Sequence, residues 1–350
     1  ACQCSKGADA MNSVYKAHQQ QGMLLNANEN PENLSPEIME EIAAALPSVA
    51  FNRYPEDGAL KLRQAYARWL GVNENQVLAG NGSDQMLQVA IQTFVQPGGI
   101  LMTLDPDFGM YDFYCDQAHG KMEKFPIGPD GTFDLDAFIK RAKDIKPSLV
   151  LFSNPNNPSG SLITKEQVKK LAQSLPEVPV VMDEAYMEFA GQSALELIDE
   201  LDNLYITRTL SKMFGLAAMR IGFMISSPKN IENLNLHRPV YNLSTMAQTV
   251  GTILLGHADE YEEKRQAIVA ERNRMEQELA AMPGMKLHPA RANFICLYPE
   301  NPEALAKAFE KAGIQIRSYK GKDYVRITVG TREQNDRVLE VIREMEGDHA

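Results

Sequence analysis

The residues of this chain best suited to chemistry lie in one run, Thr209-Leu210-Ser211-Lys212-Met213-Phe214-Gly215, with Arg220 eight positions after the lysine. A lysine flanked by hydroxyl residues follows an apolar segment, Leu204-Tyr205-Ile206, and the spacing puts a cation two helical turns further on. That set suits an amine aimed at a carbonyl carbon, with hydroxyls and a guanidinium to receive a phosphate. Pyridoxal phosphate carries both groups. The competing reading is a helix that begins at a Ser cap and exposes solvated charges.

A protein using this cofactor needs five groups, and each has a candidate. Lys212 supplies the amine for a Schiff base and then a base for the substrate's α-proton. Asp183, at the end of Val178-Pro179-Val180-Val181-Met182, supplies a carboxylate to keep the pyridine nitrogen protonated; buried there, it is costly without a cationic partner. Tyr186 and Asn157 supply donors to the ring's phenolic oxygen. Asn157 belongs to Ser153-Asn154-Pro155-Asn156-Asn157-Pro158-Ser159-Gly160, longer than a plain tight turn requires. Gly82-Ser83-Asp84 opens a helix after a strand, where backbone N–H groups and the helix dipole favour an anion. With Ser83 and Asp84, the residues Thr209, Ser211 and Arg220 complete a phosphate cup. Phe108, in Asp105-Pro106-Asp107-Phe108-Gly109-Met110-Tyr111, offers a ring face for stacking; an ordinary core phenylalanine is the alternative.

These residues need a frame that sets them side by side. Helical patterns span Pro36–Leu46, Ala59–Leu70 and Gln85–Phe94. Strand patterns fall at Val77–Ala79, Ile100–Leu104, Leu149–Phe152, Val178–Met182, Leu204–Thr207 and Ile221–Ile225. Strands alternating with helices predict an α/β domain with a mostly parallel sheet, whose ligands bind beyond the carboxyl ends of the strands. Every candidate above follows one of those ends. From about residue 259 the pattern changes to a long charged helix, Glu260–Met282, then strands at Phe294–Leu297, Ile314–Ile316 and Val325–Val329 with helices at Pro302–Lys311 and Arg332–Met345. The expected organisation is an arm over 1–35, a large domain over 36–258 and a smaller α+β domain over 259–350.

Composition narrows the class. The chain has 350 residues, is 44% hydrophobic and 23% charged, and carries a net charge of −11. That length allows two domains with substantial cores, and the acidic balance argues against a nucleic-acid partner. No apolar run is long enough to span a membrane as a helix. Cysteines at 2, 4, 115 and 296 form neither a disulfide framework nor a paired metal motif, so no metal is expected. The first ten residues read as unstructured. A cytoplasmic location is expected, with export the alternative because Ala1-Cys2 would fit the remnant of a lipoprotein cleavage site.

The order and spacing of these motifs resemble the fold-type I, pyridoxal-phosphate-dependent aminotransferases of class I/II, and most closely the histidinol-phosphate aminotransferase family. The matching stretches are Leu25-Asn26-Ala27-Asn28-Glu29-Asn30-Pro31, Asn52-Arg53-Tyr54-Pro55, Gly80–Asp84, Asn154–Gly160, Asp183-Glu184-Ala185-Tyr186, Arg208–Lys212 and Val325–Gly330. They cover almost the whole chain. The resemblance implies a homodimer in which Tyr54 reaches the neighbour's cofactor phosphate. It also implies that Arg326 grips an α-carboxylate, that Arg317 lies near the distal end of the substrate, and that Tyr15 lies near the substrate phosphate. Two such arginines let one pocket accept both glutamate and a phosphorylated amine. The implied reaction moves an amino group from L-histidinol phosphate to 2-oxoglutarate. Gln85, where the family often has Glu, the Gln-rich arm at 15–21 and the segment Arg238–Ser244 depart from the family pattern and bear on substrate choice. The other readings are an aromatic or general amino acid aminotransferase, a decarboxylase of a phosphorylated amino acid, and a non-catalytic binding protein, the last opposed by the intact Lys212.

Overall fold

The computed structural model describes residues 21–128 and 130–347. Tyr15, Cys2, Cys4 and the first ten residues lie outside them. Two sheets organise the described residues. The larger contains β2 (Val77–Asn81), β3 (Ile100–Asp105), β4 (Lys121–Pro126), β5 (Leu149–Ser153), β6 (Val180–Asp183), β7 (Leu204–Thr209) and β8 (Ile221–Ile225), in the spatial order β2-β8-β7-β6-β5-β3-β4. Strands β4, β3, β5, β6 and β7 are parallel to their neighbours, and β8 runs antiparallel between β7 and β2. The carboxyl ends of the parallel strands, at Asp105, Ser153, Asp183 and Thr209, therefore share one edge. The reversed β8 brings its amino end, just after Arg220, to the same edge.

Alternation along the strands explains why the central ones read as continuously apolar. Val180 and Met182 pack on one face in a core with Val150, Phe152, Leu204 and Ile206; Val181 packs on the other with Leu149, Leu151 and Tyr205. Helices cover both faces, as a buried parallel sheet requires. The strand expected from Val178 starts at Val180, after a proline that has no N–H to give the ladder. Strand β4, Lys-Met-Glu-Lys-Phe-Pro, is a half-exposed edge whose charges hide it in a hydrophobicity reading.

The second sheet has the order β1-β11-β12-β10-β9, from β1 (Met23–Leu25), β9 (Met285–Leu287), β10 (Phe294–Pro299), β11 (Ile314–Ser318) and β12 (Val325–Thr328). Strand β1 lies in the segment expected to be an arm, yet it pairs parallel with β11, Leu25 opposite Ile316. The arm thus straps the C-terminal sheet, and its continuation, Asn26–Glu29, is delivered to the mouth of the large sheet. The helix Glu260–Ala280 carries Glu260, Glu262 and Glu263 in its first turn, where carboxylates complement the dipole, and buries Tyr261, Ile268, Met275 and Leu279. Among the described residues no helix is long and apolar enough to cross a membrane.

Candidate active site

A cavity of about 510 Å³ opens at the shared edge of the large sheet, between it and the second sheet. Twelve of the residues singled out from the sequence line it: Ser83, Asp84, Phe108, Asn157, Asp183, Tyr186, Thr209, Ser211, Lys212, Arg220, Arg317 and Arg326.

Lys212 does not begin a helix. It sits in a tight turn after β7, where the Leu210 amide donates to the Ile221 carbonyl and the Leu216 amide to the Leu210 carbonyl. Arg220 likewise arrives through a loop and a short 3-10 turn, Ala217–Met219, rather than two turns along a helix. The lysine amine donates to the Ala27 carbonyl at 2.9 Å and lies 5.8 Å from the Tyr186 ring centre. The side chain opens onto the cavity and is only half-buried, but protein surrounds the amine closely. Burial first, and the Arg326 charge next, bring its pKa down to about 8. A larger share of the amine is then neutral near physiological pH, as a nucleophile requires.

Asp183 ends β6 and is buried. Its oxygens accept from Tyr111 Oη at 2.8 Å, Thr207 Oγ1 at 2.9 Å and the Ala185 amide at 3.3 Å. All three donors are neutral, and burial outweighs them, so the carboxyl group is pushed up to about 6. A cation placed against it would reverse that shift. Tyr186 Oη accepts from Asn28 Nδ2 at 3.0 Å and Asn157 Nδ2 at 3.3 Å. Asn157 Oδ1 in turn accepts from Arg326 Nη1.

The anion cup forms where helix Gly82–Phe94 begins. No side chain caps that helix; the Gly82 amide donates to the Arg220 carbonyl, and Ser83 and Asp84 of the first turn line the cavity, where a helix start favours an anion. Gly82 has φ +75°, and a Cβ there would lie 2.6 Å from Arg220 Nη2; a Cβ at Gly222 would lie 2.0 Å from the Ser83 amide nitrogen. Both positions must be glycine for β8 and Arg220 to close on the helix start. Arg220 Nη2 is held at 2.8 Å by Asp84 Oδ2, which fixes the guanidinium and offsets the acid's own charge in the cup. Thr209 Oγ1 and Ser211 Oγ lie 2.9 Å apart beside it.

Arg326 and Arg317 are directly opposite each other in the antiparallel pair β12 and β11. Residues in that relation point to the same face, so the sheet register places two guanidinium groups on one cavity wall. Arg326 is buried; Nη2 donates to the Asn26 carbonyl at 2.7 Å, and Nε has no partner. Arg317 lies over the Tyr319 ring at 5.5 Å.

Tyr54, expected at the neighbouring subunit's cofactor phosphate, is 81% exposed and stacks on Tyr241 with ring centres 4.9 Å apart; it does not line this chain's cavity. Gln85 and the segment 238–244 do not line the cavity either. Gln85 accepts from the Asn81 amide and from Asn242, and Arg238 pairs with Asp57 at 2.9 Å. The structure also adds wall residues without an assigned role in the sequence reading: Asn26–Glu29, Asp107, Ser153 and Tyr319. The first group lies in a motif stretch, but nothing local shows that a three-residue strand in another sheet delivers it.

A lysine at the edge of a parallel sheet, a buried carboxylate beside it and an anion cup at a helix start define an aminotransferase-type site. The chain belongs to the Aminotransferase class I and II family, which matches residues 20–342. It is 36% identical over 344 residues to the histidinol-phosphate aminotransferase of Clostridium novyi (strain NT), covering 97% of this chain and 94% of that one. Its fold matches the histidinol-phosphate aminotransferase of Sinorhizobium meliloti, solved in complex with pyridoxal-5'-phosphate, with a TM-score of 0.85 at 24% identity over 97% of this chain and 98% of that one. It also matches the L-threonine-O-3-phosphate decarboxylase of Porphyromonas gingivalis, with a TM-score of 0.80 at 20% identity over 93% and 99%. The architecture is fold type I; the last match shows that the fold does not choose the reaction.

Proposed function

We propose that this chain is a pyridoxal-phosphate-dependent histidinol-phosphate aminotransferase, converting L-histidinol phosphate and 2-oxoglutarate to imidazole-acetol phosphate and glutamate. Curated relatives at 33–36% identity over most of the chain carry that name. The observation that carries the substrate reading is the register pairing of Arg317 with Arg326 in the cavity that holds Lys212. Two adjacent guanidinium groups suit both partners, a dicarboxylate and a phosphorylated amine.

The residues fit the cofactor. Asp183, buried among neutral donors, lacks the cation that a pyridine nitrogen would supply. The uncapped helix start with Ser83, Asp84, Thr209, Ser211 and Arg220 would hold the phosphate, Phe108 would cover one ring face, and Asn157 and Tyr186 would hold the phenolic oxygen. When bound, pyridoxal phosphate supplies a carbonyl carbon that captures amines and a ring that accepts electron density from the substrate's α-carbon. Lys212 Nζ, brought to about 8, takes up the substrate's α-proton and returns it. Arg326 orients the carboxylate of glutamate and, with Arg317, the phosphate of the second substrate. The cavity walls of Asn26–Glu29 and Tyr319, supplied by the strap and the second sheet, limit water at the amine.

We read the chain as a large unit over 36–258 and a smaller one over 259–350. A homodimer goes with this reading. Tyr54, Phe51, Leu236 and Val240 are exposed, and burial against a second copy would place Tyr54 at that copy's phosphate cup. Tyr15 stays assigned to the substrate phosphate by resemblance alone. A cytoplasmic location accompanies this reading because glutamate and 2-oxoglutarate are metabolites of the cell interior.

The test is a half-reaction panel. Protein loaded with pyridoxal phosphate is mixed separately with glutamate, histidinol phosphate, phenylalanine and phosphothreonine, and its visible absorbance is followed. Conversion by glutamate and histidinol phosphate is expected; preference for phenylalanine moves the assignment to an aromatic aminotransferase, and carbon dioxide release from phosphothreonine to a decarboxylase. A protein that gains no borohydride-bleachable band with the cofactor overturns the reading altogether, as does a label that maps away from Lys212.

A further inference from the structure

Asp107 has no part in the chemistry above, yet it lines the cavity beside Asp183. It lies two residues beyond the end of β3, and its carboxylate gathers donors from two strand ends. The Phe108 amide donates to it at 2.8 Å, the Ser153 amide at 3.2 Å and Thr103 Oγ1 at 3.4 Å; Ser153 Oγ also donates to Oδ1. Ser153 is the last residue of β5. Its hydroxyl oxygen accepts from the Asn157 amide at 2.8 Å, which fixes the loop whose Asn157 side chain meets Tyr186 and Arg326. One hydroxyl thus stands between Asp107 and the loop that presents Asn157.

We propose that Asp107 is a positioning residue for the cofactor: by anchoring Ser153, it aims Asn157 at the phenolic oxygen. Its neighbour Phe108, expected to cover the ring, is placed by the same carboxylate through the backbone amide. Burial, and the adjacent Asp183, hold the Asp107 carboxyl group up at about 8, so the protein tolerates a second acid at this wall. A threonine or serine here could not accept from two amides and two hydroxyls at once.

This inference rests on the pyridoxal-phosphate reading, and its test separates the two. Cofactor-free full-length protein is titrated with pyridoxal phosphate, and the dissociation constant is read from quenching of intrinsic fluorescence for the wild type, Asp107→Asn, Ser153→Ala and the double variant. Each single variant is expected to bind about tenfold more weakly, the equivalent of ~1.4 kcal/mol. The double variant is expected to lose little more than either single one, because the two residues act in one chain of contacts. A wild type that binds no cofactor removes the parent reading. A wild type that binds, with Asp107→Asn equally tight or with losses that multiply in the double variant, removes only the positioning role. Should Asp107→Asn fail to fold, Ser153→Ala decides alone: wild-type affinity in that variant overturns the proposal.

Discussion

Replacing Arg326 with Gln tests the substrate assignment most directly. The guanidinium has five N–H donors. One is used on Asn157 Oδ1 and one on the Asn26 carbonyl, while Nε is buried without a partner. An incoming carboxylate or phosphate takes the donors that remain. Hydrogen bonds to a charged group contribute about 1.5–3 kcal/mol each. Loss of two at the lower figure is ~3 kcal/mol, about two orders of magnitude in kcat/KM for glutamate. Arg326 makes no contact with the phosphate cup, so the affinity for pyridoxal phosphate should fall only a few-fold. A second signature follows from charge. Arg326 is the main charged group lowering the Lys212 pKa. Without it the neutral amine appears at higher pH, and the pH dependence of cofactor capture should shift upward. Steady-state kinetics with glutamate, cofactor titration and a capture-rate pH profile supply the three readouts. Equal losses for substrate and cofactor, or an unmoved pH profile, refute the assignment.

Asp183 gives the cofactor-free protein a specific pH dependence. Its folded pKa of about 6 exceeds the ordinary 3.8, so between those pH values the folded state keeps a proton that the unfolded chain has lost. The group's contribution is fully present below that window and is lost as pH rises through it, in all ~3 kcal/mol. Asp183→Asn should flatten this part of a urea-denaturation pH series; an identical slope in the variant contradicts the account. Tyr54→Ala and Lys212→Ala chains should each be inactive, but mixed and refolded together they should regain activity, because in the proposed dimer a mixed pair would contain one complete site. No recovery, or an active wild-type monomer in sedimentation, removes the shared site. Arg208 is buried with Nη2 at 2.8 Å from Glu184 and Nη1 at 3.4 Å from Glu188. Arg208→Met strands two buried acids and should cost about 3–5 kcal/mol in urea denaturation; an unchanged midpoint contradicts that role.

The phosphate cup and the lysine were legible because each follows a strand end whose apolar pattern is local. The approximate strand positions at Leu149, Leu204 and Ile221 could be read for the same reason. Strand β4 was hidden by Lys121, Glu123 and Lys124 on an exposed edge, where sequence hydrophobicity has no burial to report. Strand β1 was hidden by its three-residue length; its partner, β11, begins 289 residues beyond its last residue. The turn that holds Lys212 is not legible from the helical spacing of Lys212 and Arg220, because one of its closing bonds runs to Ile221, across the β7–β8 pair.

What the sequence determined by itself was a set of chemical groups in chain order: an amine, a buried acid, hydroxyls, an amide and guanidinium groups, each at the end of an element with its own periodicity. Local pattern suffices there, because strand and helix preferences act over a few residues. The tertiary structure decided which groups meet. The reversed β8 turns Arg220 back to the helix start, the register of β11 on β12 sets Arg317 opposite Arg326, and the arm's strap carries Asn28 to Tyr186. Those relations rest on pairings between distant segments, whose geometry is set by the packed sheets rather than by any residue's neighbours in the chain.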